Sequence, residues 1–367
     1  MNSKTIRMAV IGCGRIAGHH CRSIAAVQGG GAELAAVCDL VEEKAAAYGR
    51  EFNVPYFTNY HEMMQSMRGI DVVAVATPSG MHCEHALDLM RRYRKHIIME
   101  KPTFMRPSQL RVAFSLADEL GVRLFPVFQN RHNLAVTRVR QALSSGELGR
   151  PRIVAVRVRW CRPQRYYDLS PWRGTFAQDG GALTNQGIHH LDLFRHLGGK
   201  VQRVQAVMRT LGAEIEVEDT VVATAAFEAG HVGVLEVTTA ARPQDFEASI
   251  SFVCENGLAQ IGGIAVNELQ VFTPDPSVCS EHSEDFSGNV YGSGHAMIYR
   301  DIVAALRGVT PYPVTAQDCF ETIQLLHSFY RSDEEGGWVD VADNRESQRL
   351  GRPDEVLADL YRTPVPA

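Results

Sequence analysis

Apolar positions come in short dense runs along the first 130 residues: TIRMAVIG, AELAAVC, DVVAVAT, HIIME and VRLFPVF. Runs dominated by Val, Ile and Ala suit strands covered on both faces, as in a parallel sheet. Helical stretches lie between them, such as SQLRVAFSLADELG, with Ser108 placed to cap it and Gly121 to end it. This alternation predicts a doubly wound α/β sheet. Beyond about residue 150 the period shortens. RIVAVRVRW, VQRVQAVMRT, DTVVATAAFE, HVGVLEVTT, ASISFVCENG and NELQVF alternate apolar with polar residues, predicting antiparallel strands with one covered face. EAGH (228–231) and ENGL (255–258) read as hairpin turns. Helical patterns cover 182–197, 296–308 and 315–331, and the last twenty-odd residues read as a polar surface arm. The predicted organisation is a first domain over 1–130 and a second over 131–367. The second is an α/β domain with an open, mostly antiparallel sheet, entered through the helix NLAVTRVRQALSSGELG.

A length of 367 residues agrees with two domains. The net charge of −5 is mild and the basic residues are scattered. RRYRK (91–95) reads as a solvated helix end, so nucleic acid is not an expected partner. No apolar stretch approaches the roughly 20 residues that span a bilayer. The eight cysteines form no CxxC and no zinc spacing. With no signal-peptide pattern, scattered thiols predict a reducing cytoplasm.

Candidate chemistry begins at AVIGCGRIAGHH. Gly12, Gly14 and Ala17 stand in G-x-G-x-x-A register after a strand and before a helix, with Arg15 and Ile16 in the turn. That arrangement lets a pyrophosphate approach the backbone at a helix N-terminus, as in a Rossmann domain. The second strand ends in Asp39, 22 residues after Ala17. A carboxylate there can hold the ribose hydroxyls and would repel a 2′-phosphate, so the expected cofactor is NAD. Thr77, Pro78, Ser79 and His82 follow the fourth strand at the same sheet edge and are expected to border the cofactor. MEKP places Glu100 and Lys101 after the fifth strand, and Gln129 and Asn130 end the sixth. Glu100 and Gln129 are expected at the cofactor and Asn130 at the substrate. Lys101 is expected at both, since a partly desolvated lysine beside a charged nicotinamide suits proton traffic.

DGGALTNQGIHHLDLF (179–194) holds a doubled histidine. On an α-helical wheel Asn185, His189, Asp192 and His196 share one polar stripe, while His190 falls beside Leu183, Phe194 and Leu197. His189 is therefore the histidine expected to face a ligand, and His190 to pack. A metal held by His189, Asp192 and His196 would lack a recognised signature, and none is expected.

GCGRIA, MEKP and DGGALTNQGIHHLD occur in this order, and together they resemble the glucose-fructose oxidoreductase/inositol dehydrogenase/rhizopine-catabolism (Gfo/Idh/MocA) family over nearly the whole chain. The resemblance implies NAD(P)-dependent oxidation or reduction of sugar or cyclitol hydroxyls, and a dimer or tetramer. It maps the family lysine onto Lys101 and its Asp-x-x-x-His motif onto Asn185 and His189, with asparagine in place of aspartate. FPVFQNR and VRWCRPQRYYDLSPWRGTF further resemble a branch of nucleotide-sugar 3-dehydrogenases acting on UDP-N-acetylglucosaminuronate. For a uronate and a diphosphate, Arg165 and Arg173 are candidate cations, and Tyr166 and Tyr167 could bond or stack on the substrate. Trp172 reads either as site or as core. His295, in VYGSGHAMIYRDI, reads either as a substrate contact or as a helix-start residue. The expected reaction is oxidation of a C3 hydroxyl, with Lys101, His189 and Asn185 as catalytic residues. Which of Lys101 and His189 takes the proton stays open. The alternatives are a dehydrogenase or ketoreductase of another sugar or cyclitol, and a non-catalytic NAD-binding regulator.

Overall fold

The apolar runs of the first third become strands β1 (Ile6–Ile11), β2 (Ala32–Cys38), β3 (Tyr56–Phe57), β4 (Val72–Val75), β5 (His96–Met99) and β6 (Leu124–Pro126) in the computed structural model, which describes residues 4–286 and 292–366. They pair in parallel in the order β3-β2-β1-β4-β5-β6. The strand order reverses direction between β1 and β4, and the carboxyl ends at such a switch point form the ligand crevice of a doubly wound sheet. Gly12 leaves β1 there, and Ala76 and Thr77 leave β4 beside it. The helix Pro107–Leu120 begins one residue ahead of Ser108, so Ser108 does not cap it, whereas Gly121 closes it at φ 65°.

The later runs become β7 (Pro151–Arg159), β8 (Val201–Arg209), β9 (Thr220–Phe227), β10 (Val232–Thr238), β11 (Glu247–Cys254), β12 (Leu258–Gly262), β13 (Glu268–Phe272) and β14 (Val339–Asp340). Their order is β13-β12-β11-β7-β10-β9-β8-β14, antiparallel except for the β7–β10 pair. The alternation sorts the two faces. Val221, Ala223 and Ala225 of β9 are buried, as are Leu235 and Val237 of β10. That face is covered by a helix, where Phe194 meets Phe227 with ring centroids 5.1 Å apart. Val207, Val222 and Val232 on the opposite face are each about half exposed.

The chain divides into two compact units: residues up to Val127 with His295–Phe320 and the segment from Pro353, and Phe128–Gly294 with Glu321–Arg352. This differs from two contiguous domains. Ile298, Tyr299 and Ile302 are buried in the first unit's core with Met8, Val10 and Ile24. Their helical spacing shows an apolar face but not which core it joins. Among the described residues no helix is long and apolar enough to cross a membrane, and the eight cysteines form no disulfide with one another.

Candidate active site

The turn after β1 is shaped by what it lacks. Gly12 has φ 88°, and a Cβ there would lie 2.6 Å from the carbonyl oxygen of Ala76. Only glycine lets the turn close so tightly on β4. Gly14 differs: a Cβ there would meet nothing within 4 Å. Open space thus stands over the turn just ahead of helix α1 (Ala17–Ala26), whose N-terminal amides favour an anion. Asp39, at the end of β2, accepts the Cys13 N–H at 2.7 Å on one oxygen and the Val41 N–H at 2.8 Å on the other. The carboxylate is therefore locked beside the glycine turn with lone pairs remaining for ribose hydroxyls. Arg15 is exposed and Ile16 partly exposed at the same turn. These residues fit NAD.

Other residues expected at the cofactor hold the loops around it. Thr77 and Pro78 are partly exposed and Ser79 is buried; Thr77 Oγ1 lies 2.9 Å from Nδ1 of His85. His82 is buried, with both ring nitrogens engaged by the protein. Its ring nitrogens lie 2.8 and 3.0 Å from the carbonyl oxygens of Pro102 and Thr77, tying the loop after β5 to the loop after β4. Glu100 is also turned inward. Its Oε1 lies 3.0 Å from Nε2 of His20 and 3.4 Å from Nε2 of His295, and its Oε2 accepts the Lys101 N–H at 3.0 Å. Burial alone would raise this carboxyl. The hydrogen bonds and charges of His20 and His295 outweigh it and hold the group well below the usual carboxylate range. An ionised Glu100 thus anchors the backbone of the partly exposed Lys101.

His295 accordingly sits behind the lysine, buried, rather than at an open substrate edge. Val290 and Tyr291 of its glycine-rich loop lie outside the described residues. His20, Glu100 and His295 offer ligand atoms within 4.8 Å of one another, a spacing a metal could use. Here Tyr299 completes a hydrogen-bonded chain, its hydroxyl 2.8 Å from Nδ1 of His20.

The doubled-histidine segment is not one α-helix. Ala182–Gln186 winds as a π-helix, with the Gly187 N–H donating to the Ala182 carbonyl at 2.8 Å, and α2 (Ile188–Gly198) follows. π-Turns of this kind are frequent at functional sites. This one is fixed by Glu218, whose Oε1 accepts the Leu183 N–H at 3.1 Å and the Tyr330 hydroxyl at 2.7 Å. Gly181, at φ 82°, is the one residue type that fits over that carboxyl, since a Cβ would lie 2.2 Å from Oε2. Burial pushes Glu218 up to about 8 despite those hydrogen bonds.

Between residues 181 and 190 only Asn185 and His189 are not buried. His189 Nε2 lies 3.1 Å from the Gln129 carboxamide, so Gln129 stands with the histidine. Asn130 is partly exposed next to it. His190 is buried edge-on to Trp160, and burial lowers it to about 4. Asp192 is taken by Arg131, which donates to both its oxygens at 2.7 and 2.6 Å, and by Thr322 at 2.9 Å. Burial would raise Asp192, but Arg131 keeps it lowered.

An aromatic and cationic surface lies on the same unit. The Arg173 guanidinium stands 4.3 Å from the ring centroid of Tyr166 and 4.7 Å from that of Trp172. Gln186 Nε2 donates to the Tyr166 hydroxyl at 3.1 Å, joining this surface to the π-helix. Arg165 is exposed on the short helix Gln164–Tyr167. Tyr167 does not belong to the exposed set: it is buried, with its hydroxyl 3.0 Å from Thr239 Oγ1.

Comparison with known proteins places these observations. Residues 6–128 match the model of an oxidoreductase family with an NAD-binding Rossmann fold, and 136–260 match the Gfo/Idh/MocA C-terminal domain. The chain is similar to the WlbA dehydrogenase of Bordetella pertussis, whose structure was solved with NADH and UDP-GlcNAcA. That match is 35% identical with a TM-score of 0.86, over 93% of this chain and 99% of the other. The chain belongs to the Gfo/Idh/MocA oxidoreductase family. As a member it is an NAD-dependent oxidoreductase, and its first unit carries the NAD-binding domain. The WlbA dehydrogenase of Chromobacterium violaceum, also solved with NADH and UDP-GlcNAcA, is 33% identical over 93% of this chain and 97% of that one, at TM-score 0.84. The D-glucoside 3-dehydrogenase of Escherichia coli K12 is 31% identical over 204 residues, 54% of this chain; the match spans just over half, 56%, of that relative's length.

Several residues that shape the family site here carry little sequence signal. His20 was visible as the second half of GHH, but only the fold brings it to Glu100. Glu218 lies 35 residues beyond Leu183 in the chain, with no local pattern joining them. Asp179 stands inside the quoted stretch, yet the two glycines after it place it outside the helical wheel. Its Oδ1 accepts the Asn185 Nδ2–H, and its Oδ2 accepts the Gly174 N–H at 2.7 Å.

Proposed function

We propose that the protein oxidises the C3 hydroxyl of a UDP-linked N-acetylated sugar, UDP-N-acetylglucosaminuronate in the first instance, to the 3-keto sugar. The observation that carries this reading is the full-length likeness to two dehydrogenases solved with that nucleotide sugar. The 3-dehydrogenase name of the E. coli relative agrees with the position oxidised. Bound NAD supplies the hydride acceptor. Lys101, held by Glu100 through its backbone, donates a hydrogen bond to the reacting oxygen and stabilises its developing negative charge. His189 takes the hydroxyl proton as general base. Asn185 presents an amide to the substrate hydroxyl or to the histidine. The Tyr166–Arg173–Trp172 surface suits a planar uracil and anionic groups, since guanidinium forks bind carboxylate and phosphate. Arg165 and Asn130 belong to the same reading as substrate contacts.

The half-exposed valines of the outer sheet face support a homodimer or homotetramer, because an uncovered apolar face is unfavourable in water. Cysteines outside any disulfide suit a reducing cytoplasm. Incubation with NAD and UDP-N-acetylglucosaminuronate, free hexoses or inositols, followed by NADH absorbance, tests the assignment. Turnover confined to a free sugar would move the protein to another branch. NAD binding without turnover on any of them would favour a regulator.

A further inference from the structure

Asn185 is the one residue of the π-turn that is not buried, and what orients it is a buried acid. Asp179 is 1% exposed, and its carboxylate is fixed from behind by the Gly174 N–H at 2.7 Å. The backbone holds it there, with the Asp179 and Gly180 N–H groups donating to the Thr175 carbonyl at 3.0 and 2.8 Å. Gly180 and Gly181, at φ 80° and 82°, then turn the chain so that residue 185 comes back over the carboxylate. The Asn185 amide contacts it through Nδ2. With Oδ2 accepting the Gly174 N–H, Oδ1 accepts from the amide and so selects one of its two orientations.

We infer that Asp179 is a positioning residue that dictates the polarity of the site at Asn185, turning NH2 inward and the carbonyl oxygen outward as an acceptor. The site thereby offers a neutral acceptor to a sugar hydroxyl or an imidazole N–H, while the acid stays one side chain deeper. The catalytic consequence rests on the proposed function; the contact itself does not.

Three variants separate the possibilities. In Asp179→Asn the new side chain keeps the Gly174 bond through its oxygen and offers NH2 to residue 185. Asn185 must then flip and present a donor to the ligand, so kcat falls about 10- to 100-fold with NADH affinity unchanged. In Asn185→Asp two carboxylates face each other and share a proton, so one folded-state pKa rises above its unfolded value. Its melting temperature relative to wild type holds at acid pH and drops as pH rises through that raised pKa. The double exchange Asp179→Asn/Asn185→Asp restores a donor facing an acceptor. It recovers kcat to within about tenfold and abolishes the pH-dependent loss of melting temperature. Unchanged kcat in Asp179→Asn, a double exchange no better than the single variants, or a pH-independent melting difference for Asn185→Asp would each overturn the inference. If wild type turns over none of the sugars, the proposed function fails, and the melting series still decides the Asp179–Asn185 contact.

Discussion

The glycine turn of the first unit and the π-turn of the second are built by opposite means. In the first, geometry is set by backbone: a glycine with no room for a Cβ, a helix N-terminus, and a strand-end carboxylate clamping two amides. In the second, it is set by buried acids: Asp192 held by Arg131, Asp179 under Asn185, and Glu218 under the π-turn. A backbone-built site binds whatever shares the dinucleotide's shape and charge, so it can serve many oxidoreductases unchanged. A site built on buried side chains is costly to assemble and is disrupted when one partner is lost. It is also where substrate preference can be altered by single replacements.

The largest effects should separate chemistry from binding. Lys101→Ala and His189→Ala should each lower kcat by about 10²- to 10⁴-fold. NADH affinity, read by fluorescence titration, should be nearly unchanged. Near-normal turnover in both would remove the chemical role from both units.

Next comes the buried ion pair. Arg131→Ala leaves Asp192 without its bidentate partner and should cost about 3–5 kcal/mol in chemical denaturation. A loss below about 1 kcal/mol, the worth of a surface pair, would contradict the role of buried charge.

The glycine turn gives a smaller effect that sharpens the backbone half of the comparison. Gly12→Ala puts a Cβ against Ala76 at positive φ and should destabilise by about 1–3 kcal/mol. Gly14→Ala meets no neighbour. It should fold as wild type and weaken NADH binding alone. Equal melting temperatures for the two variants would refute the packing argument.

The smallest effect is a slope. Glu218 is raised to about 8 when folded, so its contribution is full below the ordinary carboxylate range and is lost as pH rises through about 8. Melting curves from pH 5 to pH 9 should therefore fall more steeply for wild type than for Glu218→Gln. Parallel curves would mean that Glu218 is not a buried neutral acid.

The same contrast explains how much could be read from the chain. The parallel sheet, the glycine turn and Asp39 were legible because they depend on local order: a strand, a turn, a helix, and a carboxylate at the next strand's end. The separation of His189 from His190 was legible from helical spacing, even though an α-wheel was drawn across a π-turn. Glu100, His82 and Tyr167 read as ligand-side residues because their loops lie there, and His295 reads equally as a helix start. Their side chains turn inward to meet His20, Pro102, Thr239 and, for His295, Glu100, and no spacing rule carries that information. From His295 onward the helix Gly294–Leu306 joins the first unit's core, which the sequence does not show for the same reason, since an apolar face does not name its partner.

The most direct test of the central claim is the rate of NADH formation when the purified protein meets NAD and UDP-N-acetylglucosaminuronate, alongside free hexoses and inositols. NADH and a 3-keto sugar are expected from the nucleotide sugar, and neither from Lys101→Ala or His189→Ala. NADH formation from a free sugar but not from the nucleotide sugar would contradict that claim.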